Sequence, residues 1–126
     1  MVQHVTLELR QEQVEDCVAF YALLGLERVE PPPSLADRAA WLQSGPTQIH
    51  LMWVEQPVAL PSGHVALVPD DYEGAVDALR AAGHEVEPRR EHWGAARSYV
   101  RDPAGNLLEL MASPPTGVGG PGDFQA

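Results

Sequence analysis

The chain has 126 residues, 44% hydrophobic and 21% charged, with 18 acidic against 8 basic side chains and a formal net charge of -10. This is the composition of one globular domain, long enough to bury a core without staples, and its acidic balance excludes phosphate backbones and anionic lipid as partners, leaving a small molecule or a protein. The single cysteine, Cys17, cannot make an internal disulfide, and "VQHVTLELR" after Met1 has no basic leader or long apolar stretch, so the chain reads as cytoplasmic.

In chain order, "QHVTLEL" alternates, with Val5, Leu7 and Leu9 on one face and His4, Thr6 and Glu8 on the other, the period of a half-buried strand. "QEQVEDCVAFYALLG" then spaces Val14, Cys17, Val18, Tyr21 and Leu24 at three and four, a helical stripe stopped by Gly25. Strand-like "LERVE", "AAWLQ" and "TQIHLMW" follow, the last two joined by the turn "SGPT". The same order then repeats. "GHVALV" reads as a strand and "DDYEGAVDALRAAG" as a helix with a capping box from Asp70 to Glu73 and a stop at Gly83. "HEVEP", "RSYVRD" and "NLLELM" complete the second half, the last two joined by "DPAG".

The fold class is therefore α+β, two βαβββ modules at about 2 to 54 and 63 to 112 that form a curved mixed sheet within one domain of residues 1 to 112. His4 and His64 lie 60 residues apart, and His50 and Glu109 lie 59 apart, so four side chains with metal-ligand chemistry occupy two equivalent positions in each copy. Strand parity sets each of them opposite an aliphatic face suited to packing under a helix: Ile49 and Leu51, Val65 and Leu67, Leu108 and Leu110. All four then point into the concavity. Three imidazoles and a carboxylate suit a divalent transition metal (zinc, iron, manganese, cobalt or nickel) and not calcium, which takes oxygen alone. Any one of these residues, taken singly, reads equally well as a hydrogen-bonded strand residue. His84 and His92 fall in hydrophilic connections and read as surface; Trp53 shares parity with Ile49 and Leu51 and reads as packing.

The segments "HVTLEL", "FYALLGLERVE", "GHVALV" and "SYVRDPAGNLLELM", in this order over residues 2 to 112, resemble the vicinal oxygen chelate superfamily, the glyoxalase, bleomycin-resistance and extradiol dioxygenase group. The resemblance implies a homodimer whose sites draw on two chains, and a metal held by His4, His64 and Glu109 with His50 at the fourth place, where glyoxalase I proteins usually carry glutamate. It implies an isomerase, lyase or transferase that chelates a small oxygen-rich substrate, with Glu109 and Tyr99 in catalytic roles. Thr6, Gln48, Met52, Arg97 and Tyr99 are the substrate-facing candidates by parity. Fosfomycin thiol transferases share the His-x-Thr matched by His4 and Thr6, and the tyrosine matched by Tyr99, but their phosphonate-gripping serine and arginine have no clear counterpart. Two alternatives remain open. A bleomycin-resistance-like protein would sequester a ligand on Trp41, Trp53 or Trp93; an extradiol enzyme would cleave a ring with two histidines and a glutamate around iron. "PPPS" at 31 to 34 reads as a stiff connector, and residues 113 to 126 as a flexible arm.

Overall fold

The computed structural model describes residues 1 to 116, so most of the arm expected at 113 to 126 lies outside the described residues. The first module comprises β1 (His4–Leu9), a single 3-10 turn (Gln11–Gln13), α1 (Val14–Ala22), β2 (Glu27–Val29), β3 (Ala39–Ser44) and β4 (Thr47–Trp53). The second comprises β5 (Val65–Leu67), α2 (Tyr72–Ala81), β6 (Glu87–Arg89), β7 (Arg97–Arg101) and β8 (Leu107–Met111). Each builds a four-stranded sheet, in the orders β1-β4-β3-β2 and β5-β8-β7-β6. The first strand of each module runs parallel to the last, and the remaining pairs are antiparallel.

The internal repeat extends to register. Thr6 and Trp41 flank His50 across β1, β4 and β3; Ala66 and Tyr99 flank Glu109 across β5, β8 and β7. The expected alternation follows, because one face of each sheet is sealed by helices. Leu42, Ile49, Leu51, Leu108 and Leu110 share one continuous core with Cys17, Phe20 and Tyr21 of α1 and Val76 and Leu79 of α2. Trp53 is partly buried against that core, as its parity predicts.

Both helices end where a residue without a Cβ can turn left-handed. Gly25 has φ 85° and Gly83 has φ 92°. The amides that follow bond back to the last turn, Leu26 N to Tyr21 O and His84 N to Leu79 O, each at 3.0 Å, satisfying carbonyls the helix would otherwise orphan. Three details differ from the sequence expectation. The cap of α2 is Asp71, whose carboxylate accepts from Gly74 N, and not Asp70, because the helix starts one residue later than a capping box would place it. His64 precedes the hydrogen-bonded part of its strand, which begins at Val65. His84 is half-buried, its ring edge-on to Phe20 at 4.9 Å, because the bond of its amide to Leu79 folds it back over the helix end.

The "DPAGN" turn joins the modules. Asp102, 3% exposed, accepts from the amides of Ala104 and Asn106 at 2.9 Å each and from the Tyr21 hydroxyl of α1 at 2.7 Å. Asn106 Nδ2 donates to Glu8 O of β1 at 3.1 Å. Gly105, at φ 91°, closes the turn. The β7–β8 hairpin of the second module is thus anchored to both α1 and β1 of the first.

Candidate metal and substrate site

The polar side chains opposite the helix-covered faces of the sheets are gathered in two groups. On the first module His4 and His50 stack, centroids 4.1 Å apart and planes 18° from parallel, and His50 in turn stacks on Trp41 at 4.2 Å and 4°. The ladder exists because His50 and Trp41 are direct cross-strand partners. Gln43, Gln48 and His50 form a chain: Gln48 Nε2 donates to Gln43 Oε1 at 2.8 Å, so Gln48 Oε1 accepts from His50 Nε2 at 2.8 Å. That fixes the His50 tautomer with its lone pair on Nδ1. Burial, and secondarily the neighbouring His4, hold the His50 imidazole below its ordinary pKa and therefore neutral. His4 is exposed; its Nδ1 donates to Gln3 Oε1 at 2.7 Å, leaving the Nε2 lone pair free. Thr6 is exposed beside His50 in register, and Met52 is half-buried opposite Ala39.

On the second module Glu109 is 7% exposed and both of its oxygens are engaged. Oε2 accepts from Arg97 Nε at 2.7 Å; Oε1 faces His64 Nε2 at 3.0 Å. Arg97, 8% exposed, also donates through Nη1 to Arg90 O at 2.8 Å and through Nη2 to the Tyr99 hydroxyl at 3.3 Å. Its hydrogen bond to Glu109, more than any other cause, raises its pKa further and keeps it charged. Tyr99 lies 5.3 Å from the His64 ring, with Arg89 over its face at 5.0 Å.

His64 carries the chemical information. Its Nδ1 donates to Ser62 O at 2.8 Å, so a neutral ring presents an Nε2 lone pair to the Glu109 carboxylate. Two acceptors 3.0 Å apart require a proton or a cation between them. Two ligands of one divalent ion, each about 2.0 to 2.2 Å from it, stand roughly this far apart, and a metal-binding histidine typically donates its other nitrogen to a backbone carbonyl. The donor set therefore fits a transition metal.

The structure brings His4 together with His50 and Gln48, and His64 together with Glu109, Arg97 and Tyr99. It does not bring the two groups together: among the described residues no three or more of His, Cys, Asp and Glu cluster to hold a metal. Two features escaped the sequence reading. Trp41 shares its strand's inward parity but only the β3–β4 register places it on His50, and Arg97 reaches Glu109 diagonally, from the position opposite Met111.

Two βαβββ modules, each with a four-stranded mixed sheet and with His50 and Glu109 at equivalent positions of the last strand, define the architecture. The chain belongs to the glyoxalase/bleomycin resistance protein/dioxygenase superfamily, whose family model matches residues 2–110. Its fold is similar to that of a glyoxalase-family protein from Bacillus anthracis (26% identity, TM-score 0.80, 88% of this chain and 93% of that one). It is also similar to lactoylglutathione lyase from Agrobacterium tumefaciens (23% identity, TM-score 0.67, 88% and 92%) and to the oxidase ChaP-H2 (17% identity, TM-score 0.71, 90% and 94%). No curated protein matches the chain in sequence. Members of the superfamily bind small molecules, often use divalent metals and often form dimers.

Proposed function

We propose that the protein is a metal-dependent enzyme of this superfamily, an isomerase, lyase or transferase that holds a small oxygen-rich substrate at a divalent transition metal. The observation that carries the reading is His64 Nε2 set 3.0 Å from Glu109 Oε1, with the other His64 nitrogen tied to Ser62 O. His64 and Glu109 would supply two ligands, His4 a third through Nε2, and His50 the fourth place through Nδ1. When bound, the ion supplies Lewis-acid stabilisation of negative charge developing on substrate oxygen. Beside it, the Tyr99 hydroxyl, which accepts from Arg97, has its own proton left to donate. Thr6, Gln48 and Met52 are the proposed walls of the substrate pocket.

Because His4 and His50 stand apart from His64 and Glu109 within one chain, the complete site is proposed to form between two copies, each giving one pair. The first strand of each module, β1 and β5, is an edge strand, which leaves backbone groups for such a pairing. Elemental analysis of protein purified without chelator should find about one equivalent of zinc, iron, manganese, cobalt or nickel per site. His64→Ala or Glu109→Ala should weaken binding by more than roughly 100-fold, beyond the usual loss of an outer-shell partner. An intact protein with no affinity for any of these ions would refute the metal reading. Mixing His4→Ala with His64→Ala protein separates the assemblies: a shared site is regenerated intact in each mixed pair, and a site within one chain is not.

A second reading has its own observation. The cavity beside Glu30, Pro31, Pro32, Pro33 and Ala36 is lined by Trp41, whose ring also stacks on His50. That surface suits capture of a flat ligand, with Glu30 to pair a cationic one. Tight ligand binding by metal-free protein would favour sequestration over catalysis.

A further inference from the structure

Arg97 lies on the inward face that the sequence marks for substrate, yet each of its three nitrogens donates to the protein: Nε to Glu109, Nη1 to Arg90 O and Nη2 to Tyr99. It is 8% exposed, with Trp93 and Tyr99 rings 6.0 and 5.3 Å from its guanidinium carbon. A guanidinium so thoroughly held is placed for what it does to its neighbour.

We infer that Arg97 is a positioning residue that withholds Oε2 and part of the charge of Glu109 from the metal, so that the site offers a single carboxylate oxygen and holds its ion loosely. This rests on the proposed metal reading and deepens it. The physical reason is direct. A carboxylate can give an ion one oxygen or two, and the 2.7 Å bond from Arg97 Nε occupies Oε2 while Oε1 alone faces His64. The positive guanidinium also offsets the negative ligand, leaving a bound cation less neutralised and more electrophilic toward substrate oxygen.

The sign of the effect separates this role from a merely structural one. Losing a structural support would loosen the ligands and weaken the metal; losing a charge that competes with the metal should tighten it. Cobalt(II) is titrated into wild type, Arg97→Gln, which can still donate to Oε2 but carries no charge, and Arg97→Lys, which keeps the charge. Affinity is read by calorimetry, the ligand field by visible absorption, and the fold by circular dichroism. The expected result is binding about tenfold or more tighter in Arg97→Gln, with a changed cobalt spectrum, and near-wild-type affinity in Arg97→Lys. Arg97→Met serves the same reading if the Gln variant folds poorly, and loss of the fold in both assigns Arg97 to stability and overturns the inference. Cobalt taken up by wild type with equal or weaker affinity in the uncharged variants overturns this inference alone. Uptake by none of the proteins overturns the metal reading and this one together.

Discussion

Asp102 shows how one side chain can fix a distant geometry. It lies 81 residues from Tyr21, yet its carboxylate accepts the Tyr21 hydroxyl and two amides of its own turn, with Asn106 Nδ2 at 3.1 Å as well. Replacing a buried acceptor of this kind strands several donors, each costing about 1 to 3 kcal/mol. Asp102→Ala should therefore destabilise by more than about 3 kcal/mol in urea unfolding, and Tyr21→Phe by about 1 kcal/mol. The same pocket governs alkaline stability. Burial first, and Asp102 second, push the Cys17 thiol up to about 12 and raise Tyr21 as well. Both groups are neutral when protonated, so the unfolded chain releases its protons first. The stability is complete below the ordinary thiol value of 9.0 and declines as pH rises toward 12, at about 1.4 kcal/mol per pH unit for the thiol alone. Urea melts at pH 8, 9.5 and 10.5, taken at about those values, should trace this decline. Cys17→Ala should remove the thiol's share, whereas an unchanged slope would show that Cys17 does not ionise on unfolding.

At the scale of elements, the termini of α1 and α2 are decided by backbone sterics. Gly25 and Gly83 adopt φ 85° and 92°, and a Cβ at either would meet nothing within 4 Å, so the penalty for substitution is conformational alone. Gly83→Ala should cost about 1 to 2 kcal/mol and lower Tm by about 4 °C or more, measured calorimetrically. A neutral result would mean that the helix end readily shifts. These stops were legible because glycine after an apolar stripe has one strong local meaning. The cap of α2 was legible only to within a residue: Asp70 and Asp71 are chemically identical, and the choice depends on where the chain leaves β5. The strand faces were read correctly for a related reason. Alternation is a property of the extended backbone, and Ile49, Leu51, Leu108 and Leu110 are buried while His50 and Glu109 occupy the opposite side.

At the scale of the molecule, the separation of the His4–His50 pair from the His64–Glu109 pair makes assembly the decisive question for the proposed site. Sedimentation at micromolar concentration should give twice the mass of 13.7 kDa, and chelator treatment should leave that mass unchanged if the interface rests on strand edges and apolar surface and not on the ion. A monomer carrying a full complement of metal would refute the shared site while leaving the ligand assignment standing.

By itself the sequence determined the two βαβββ modules and the faces of their strands, with His50 and Glu109 set opposite the core-facing aliphatic residues. Those follow from periodicity and from the 59- and 60-residue spacing of the repeat, which are local or one-dimensional properties. Only the tertiary structure decided that His50 lies between His4 and Trp41, that Arg97 occupies half of Glu109, and that the inward residues form two groups within one chain. Those depend on which strands become neighbours, in what register, and how two sheets are set against a common core. Alternation says which way a side chain points along its own strand; what it meets there is fixed by pairings between residues far apart in the chain.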